Sequence, residues 1–238
     1  MRTTTTRRLL DATTAGTALL MALTLAGCGS TSPVAETSST LPPKVTTSPA
    51  NLVARVGLTN KDLANGYTVK LMDGGDQVAG QVTLDNCGYA FTTETHRVAR
   101  RQVTLITGKG QPSGASNEVV AYDSPNSATQ ALTQFRASVK GCPKGKFEKS
   151  TVAGVPDLRY VVSTVTQSAS LPVKDNAIAT LEVTAKGSNQ KLFAVLIFQR
   201  KGAVLNGTYL QMTTKPTAAD IAALARLATI SGKRLATA

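Results

Sequence analysis

Three features carry side chains that acid–base, nucleophilic or metal chemistry would need. His96 is the only histidine, and its charged neighbours favour a solvated surface position over the general base of a serine hydrolase. The segment GQPSG, Gly110–Gly114, holds its serine one place too late for a nucleophile elbow. Asp73 and Asp76 lack a third carboxylate at ligand spacing, which is typical of a polar turn. The sequence has no phosphate-binding glycine loop, so we expect no catalytic residue, no metal and no cofactor.

The segment that precedes Cys28 predicts export from the cytoplasm. Three arginines are followed by Ala12–Ala26, an uncharged run that is shorter than the about 20 residues of a membrane-spanning helix. It leads into Leu25–Cys28, the letters LAGC, which resemble the bacterial lipobox. The resemblance implies cleavage before Cys28 and a diacylglyceryl group on its sulfur; the alternative is a buried free thiol or a partner in disulfide exchange. We therefore expect a signal peptide at residues 1–27 and a lipid anchor in the cell membrane, with the protein on its extracytoplasmic face.

Two segments follow the predicted anchor. Residues 28–50 are rich in serine, threonine and proline, and their low apolar content predicts a disordered stalk. Residues 51–238 are long enough for one domain with a sizeable core. Outside the cytoplasm, Cys87 and Cys142 are most simply interpreted as one disulfide, with two free buried thiols as the alternative. Together with one histidine they cannot complete a four-ligand zinc shell without carboxylates.

The chain is basic, with a formal net charge of +12. In a cytosolic protein this charge would favour nucleic-acid binding, but the export signal removes that partner and we expect none. One cluster of arginines follows His96, and one cluster of lysines surrounds Cys142. We predict contact with anionic lipid headgroups or envelope polymers, whereas the alternative is a solvated face. The predicted contact residues are Arg97, Arg100, Arg101, Lys144 and Lys146.

Two helices are predicted from capping signals and apolar spacing. The first starts at Ser124, places apolar residues at intervals of three and four, and ends at Gly141. Its predicted inward face is Ala128, Ala131, Leu132, Phe135 and Val139. The second starts at Thr217 and ends at Ser231–Gly232, ahead of a basic tail. Its predicted inward face is Ile221, Leu224, Ala225 and Ala228.

Alternating or continuous apolar segments predict the strands. A hairpin joins Val98–Thr107 to Glu118–Tyr122 through a long loop, and Leu192–Phe198 is apolar throughout, as expected of a central strand. Asn206–Gly207 competes with Lys201–Gly202 as a turn, and we expect a bulge at the site that loses. The other predicted strands are Leu158–Val165, Ala177–Ala185 and Ala203–Thr213. Short connections between neighbouring strands favour an α+β fold, a twisted antiparallel sheet with two main helices packed on it.

The order of these motifs resembles the sensor-type lipoproteins of actinobacteria and the PknH-like extracellular domain found outside certain membrane-anchored kinases. The motifs are DLANGY at 62–67, DNCGY at 85–89, HRVARR at 96–101 and SATQALTQFRASVKGCP at 127–143. The resemblance implies an antiparallel sheet with packed helices and an unidentified ligand in a cleft. This chain departs from that domain, which typically carries two disulfides, because it can form only the Cys87–Cys142 bridge and has no kinase or transmembrane segment.

The functional prediction is a membrane-anchored lipoprotein that acts as a ligand-binding or sensor-type domain without catalysis. Its partners would be the membrane, through the N-terminal lipid, and a small-molecule or lipid ligand. The alternative is a structural lipoprotein of the cell envelope that binds a protein partner or an anionic polymer. An apolar cleft between the sheet and the helices would favour the first function, whereas a filled core with one exposed apolar patch would favour the second.

Overall fold

One antiparallel sheet forms the body of the protein. The computed structural model describes residues 47–149 and 156–238, so the predicted signal peptide, Cys28 and the predicted stalk up to residue 46 lie outside the described residues. Within the described ranges the strands are β1 (Tyr67–Leu71), β2 (Arg97–Thr107), β3 (Pro112–Tyr122), β4 (Phe147–Glu148), β5 (Leu158–Thr166), β6 (Asn176–Ala185), β7 (Lys191–Lys201) and β8 (Val204–Met212). They pair in the order β1-β2-β3-β8-β7-β6-β5-β4, and every pair is antiparallel.

The described residues contain three α-helices, which corrects the prediction of two main ones. They are α1 (Pro49–Val56), α2 (Pro125–Lys140) and α3 (Ala218–Thr237). The first was missed because it begins at Pro49, inside the segment whose composition predicts a stalk. Ser48 caps this helix by accepting a hydrogen bond from the Asn51 N–H at 3.3 Å, and Val53 and Val56 are buried against β2 and β3. A cap and two apolar side chains therefore outweigh the polar composition of the segment.

Helix α2 covers one face of the sheet, and the sequence predicted it correctly. The Ser124 hydroxyl accepts a hydrogen bond from the Ser127 N–H at 3.1 Å, and Gly141 follows the last turn. All five side chains of the predicted inward face are buried. Phe135 packs against Phe198 of β7 with ring centroids 4.4 Å apart, and this aromatic contact anchors the helix on the sheet.

Helices α1 and α3 cover the opposite face, and α3 continues beyond its predicted end. Thr217 and Asp220 form a capping box at its start. Ser231 and Gly232 are fully buried in mid-helix and do not terminate it. A Cβ atom on Gly232 would lie 2.3 Å from Oε1 of Gln199, so glycine is needed here for close approach to β7. Ile221, predicted to face inward, is 43% exposed.

Strands β3 and β8 also correct the sequence analysis. Strand β3 begins at Pro112, so the hairpin loop is shorter than predicted. The chain turns at Lys201–Gly202, and Asn206–Gly207 lies inside β8, which pairs with both neighbours in continuous register and without the expected bulge. The Asn206 side chain is buried and donates to Ser231 Oγ at 2.9 Å, so a residue pair that usually makes turns is held in a strand by hydrogen bonds to its neighbours.

Cys87 and Cys142 form a disulfide, with an S–S distance of 2.12 Å. It joins the segment between β1 and β2 to the residue that follows the α2 cap. Cys87 has a φ angle of 60° and belongs to a turn with Gly88, which the hydrogen bond from the Tyr89 N–H to the Asn86 carbonyl closes. No helix of the described residues is both long and apolar enough to cross a bilayer.

Candidate functional site

The predicted arginine cluster is not a surface cluster, which corrects the sequence analysis. The side chains of Arg97 and Arg100 are only 5% and 2% exposed; Arg97 forms an ion pair with the partly buried Glu94, and Arg100 forms one with the buried Glu118. The Arg101 side chain packs over Gly57, and its Nε atom is buried without a hydrogen-bond partner among the described residues. Two of the three arginines are therefore unavailable to an anionic surface.

Arg100 and Glu118 form the centre of a buried polar network on the α2 face. Glu118 Oε1 accepts from Arg100 Nε at 2.5 Å and from the Thr83 hydroxyl at 2.9 Å, and its Oε2 accepts from the Tyr209 hydroxyl at 3.0 Å. Burial, together with the Glu118 charge, raises the pKa of the Tyr209 phenol well above its usual range, so this hydroxyl remains a donor. Because each carboxylate oxygen is satisfied, the network stabilises the fold rather than offering a reactive group.

Arg97 and Glu94 hold the segment before β2 against the sheet. Arg97 donates to the Thr83 hydroxyl at 3.0 Å and to the Gln81 carbonyl at 2.5 Å. The Glu94 carboxylate accepts the N–H groups of Thr83 and Leu84 at 2.8 and 3.2 Å. Burial raises the pKa of Glu94, although these donors and Arg97 favour its charged form. The pair therefore clamps a segment that has no strand of its own.

The lysines of the second cluster are on the surface. Lys144 and Lys146 are both exposed. They precede Phe147 of β4, which is 42% exposed and carries the Arg159 guanidinium 5.3 Å from its ring centroid. The predicted contact of Lys144 and Lys146 with anionic surfaces stays a prediction.

His96, Asp123 and Ser127 are close together, but their order does not match a hydrolase triad. Ser127 Oγ donates to Asp123 Oδ1 at 2.6 Å, and His96 Nδ1 lies 2.8 Å from Asp123 Oδ2. The serine and the imidazole thus bind opposite oxygens of one carboxylate, whereas a triad needs the serine on the imidazole. The hydrogen bond from Ser127, followed by that from His96, lowers the pKa of Asp123. The cluster ties the start of β2 to the start of α2.

An apolar cleft lies between the first half of α3 and the ends of β1, β2, β3 and β8 that meet beneath it. Its volume is about 290 Å³, close to the lower end of the about 300–1,000 Å³ that is usual for ligand sites. Five leucines form most of its apolar wall: Leu63, Leu105, Leu210, Leu224 and Leu227. A second depression of about 330 Å³ lies between α2 and β5, but Arg136 in its lining already binds Asp175.

Small residues create the space in the cleft. Ala115 of β3 pairs with Leu210 of β8, and it lines the cleft together with Ala64 and Ala223. The prediction assigned Ala115 to a loop and did not consider Ala223, so the sequence analysis missed this site. The only sequence signal for the cleft is the small side chain of Ala115, which faces leucines of the helix and of the sheet. This signal can be used only once the pairing of β3 with β8 is known.

Polar groups stand around the rim of the cleft. Tyr67, Ser113 and Arg226 line it, and so do two carboxylates that are engaged within the protein. Asp62 accepts from Arg234 and from the Thr59 hydroxyl. Burial alone would raise the pKa of Asp62, but the hydrogen bond from Arg234 and those from Thr59 outweigh it, and the pKa is lowered. The cleft thus combines an apolar wall with a few convergent polar groups, which is the usual composition of a small-molecule site.

The comparison with solved structures finds a distant neighbour. It is the extracellular domain of PknH from Mycobacterium tuberculosis, with a TM-score of 0.45 and 13% sequence identity over 74% of this chain and 92% of that one. No family model and no curated protein matches the chain. A likeness of this degree assigns no residue a role.

Proposed function

We propose that the described domain is a non-catalytic, sensor-type domain that binds a small ligand in the cleft under α3. The cleft is the observation that carries this proposal, because its leucine wall would bury the apolar part of a ligand while the polar rim orients it. His96, the only histidine, and the buried Glu118 do not line it. His96 and Glu118 are engaged in the contacts described above, at other places in the fold.

We also propose that the domain acts at the extracytoplasmic face of the cell membrane. The support is the lipobox-like LAGC sequence that ends at Cys28, after an uncharged run too short to span a bilayer. A disulfide between Cys87 and Cys142 fits an oxidising compartment. In this arrangement the lipid supplies the anchor and the cleft remains free to sample ligands outside the cell.

A matched pair of substitutions on α3 tests the ligand-binding proposal. Ala222 and Ala223 are adjacent and both exposed, but only Ala223 lines the cleft. We expect Ala223→Phe to occupy part of the cleft and to abolish a small-molecule mass that co-purifies with the full chain in native mass spectrometry. Ala222→Phe should retain that mass. A wild-type chain that carries no ligand, or a ligand that survives Ala223→Phe, would contradict the proposal.

A second candidate function is docking to an anionic polymer or partner of the cell envelope. The observation that favours it is the basic edge around β4, where Lys144 and Lys146 precede the exposed Phe147 and Arg159 lies over its ring. Exposed aromatic and cationic groups together suit an anionic surface. The test is co-sedimentation of the chain with phosphatidylglycerol vesicles. Lys144→Glu with Lys146→Glu should weaken binding, and Lys109→Glu in the distant β2–β3 hairpin loop should not.

A further inference from the structure

Three polar side chains at the rim of the cleft, Tyr67, Ser113 and Arg226, can donate hydrogen bonds to a ligand. Ser113 Oγ already accepts the Ala115 N–H at 3.2 Å, so its hydroxyl proton is left to donate. Tyr67 is 45% exposed, which leaves its phenol accessible. Arg226 is exposed and forms no ion pair with any residue that the structure describes. A guanidinium has five donors and no acceptor.

Of the two carboxylates at the same rim, Asp62 has both oxygens engaged within the protein and Asp220 has one. Asp62 is bound by Arg234 and by Thr59. Asp220 Oδ2 accepts from the Thr217 N–H at 2.8 Å and from the Thr217 hydroxyl at 2.7 Å, and these bonds lower the pKa of Asp220. Asp220 also lies in the first turn of α3, about 9 Å along the helix axis from Arg226 at 1.5 Å per residue. The negative charge of Asp220 therefore lies at the start of α3, and the positive charge of Arg226, which has no ion-pair partner among the described residues, lies further along the cleft.

These observations identify the chemistry of the ligand. A leucine wall accommodates an apolar body, and available donors around the unpaired cation of Arg226 favour an acceptor-rich, anionic head. We propose that the cleft binds an amphiphile with a single apolar chain and an anionic head group, and that Arg226 pairs with the head. The inference rests on the proposed ligand-binding function and adds to it the class of the ligand.

Three probes with one alkyl chain and different head groups test this inference. Decanoate, decanol and decylammonium would each be titrated into the full chain and followed by calorimetry. Decanoate should bind tightest, about tenfold more tightly than decylammonium, because its carboxylate pairs with Arg226. Arg226→Glu should remove this preference or reverse it. Lys233→Glu changes an exposed cation on the same helix that does not line the cleft, so it should leave the preference unchanged.

The outcomes separate the inference from the proposed function. If all three probes bind with equal affinity and Ala223→Phe abolishes their binding, the cleft binds apolar ligands and the anionic head group is wrong. A preference for decanoate that persists in Arg226→Glu overturns the role of Arg226. If no probe binds, or if binding is insensitive to Ala223→Phe, both the inference and the ligand-binding function are wrong. Thermal unfolding of each variant establishes that the substitution, at an exposed position, has not unfolded the chain.

Discussion

The arginines of β2 show that a single residue can be buried although residues of its type usually lie on the surface. Arginine is seldom buried, so a cluster of three suggests a surface. Arg100 is nevertheless enclosed, because Glu118 on the neighbouring strand supplies a counter-charge and Gly74 supplies a carbonyl at 2.9 Å. A buried charge needs such partners to offset its desolvation. The position of Glu118 next to the apolar run Val119–Tyr122 is a signal for this pairing, since a glutamate on the inward face of a strand implies a buried partner.

Glu118→Gln should destabilise the domain strongly. The amide removes the negative charge beside Arg100 and leaves a buried cation uncompensated, which typically costs about 3–5 kcal/mol. Urea denaturation of the wild-type and variant chains measures the difference. Glu182→Gln is the matched control, because Glu182 pairs with the exposed Lys191 and loss of such a pair costs about 1 kcal/mol or less. Equal losses for the two variants would show that the Arg100–Glu118 pair contributes no more than a surface pair.

Gly232→Ala tests whether close approach explains the glycine in the middle of α3. Alanine normally stabilises a helix by about 1 kcal/mol relative to glycine. Here the added methyl group would meet the Gln199 amide, whose Nε2 donates to the Ala228 carbonyl at 2.7 Å and so cannot move freely. We expect a net loss of about 1–3 kcal/mol in the free energy of unfolding. In a Gln199→Ala background the loss should shrink, and an unchanged loss would contradict this explanation.

At the level of elements, the sequence predicts a helix or strand well when local signals and tertiary contacts agree. Helix α2 has a cap, an apolar face and a terminal glycine that all point to the same boundaries, and they are correct. The Ser231–Gly232 pair has the local signature of a helix end, but its actual role is to contact Gln199 and Asn206. Asn206–Gly207 has the signature of a turn and lies in a strand. Such errors arise where polar or small residues serve contacts between elements that are distant in sequence.

Asp175 links α2 to β7, and its contribution should depend on pH. Its carboxylate accepts from Arg136 at 2.8 Å and from Arg200. Burial alone would raise the pKa of Asp175, but the hydrogen bonds from these two arginines outweigh it and the pKa is lowered. The folded state therefore favours the charged form, and this stabilisation is present above the unfolded pKa of about 3.9 and is lost as the pH falls through the lower folded pKa.

The expected result is a difference in unfolding free energy between the wild type and Asp175→Asn that is constant above about pH 5 and shrinks below about pH 4. Denaturation at a series of pH values measures it. The control is the same comparison in a chain that carries Arg136→Gln and Arg200→Gln, where the carboxylate has lost both donors. There the pH-dependent part should disappear, and its persistence would assign the effect to other groups.

At the level of the whole molecule, the sequence predicts the fold class but not the cleft. Alternating strands and capped helices are local patterns, and together they favour an antiparallel sheet with helices packed on it, which the eight-stranded sheet confirms. The cleft depends on Ala115, Ala223 and Leu105, which lie on three elements and come together only after the sheet has its strand order and α3 is placed on it. Patterns along the sequence do not show which of these residues come together, so the cleft can be recognised only in the assembled fold.

The proposed membrane location depends on Cys28, and a substitution there gives a direct prediction. Several acyl chains bind a membrane firmly, because each buried methylene contributes about 0.8 kcal/mol, whereas a chain without lipid has no such anchor. Cell fractionation should therefore find the wild-type chain in the membrane fraction and Cys28→Ser as an uncleaved precursor or a secreted form. Ser30→Ala changes a nearby residue and should remain in the membrane fraction. A mature Cys28→Ser chain that still fractionates with membranes would show that an attachment other than the lipid holds the domain there.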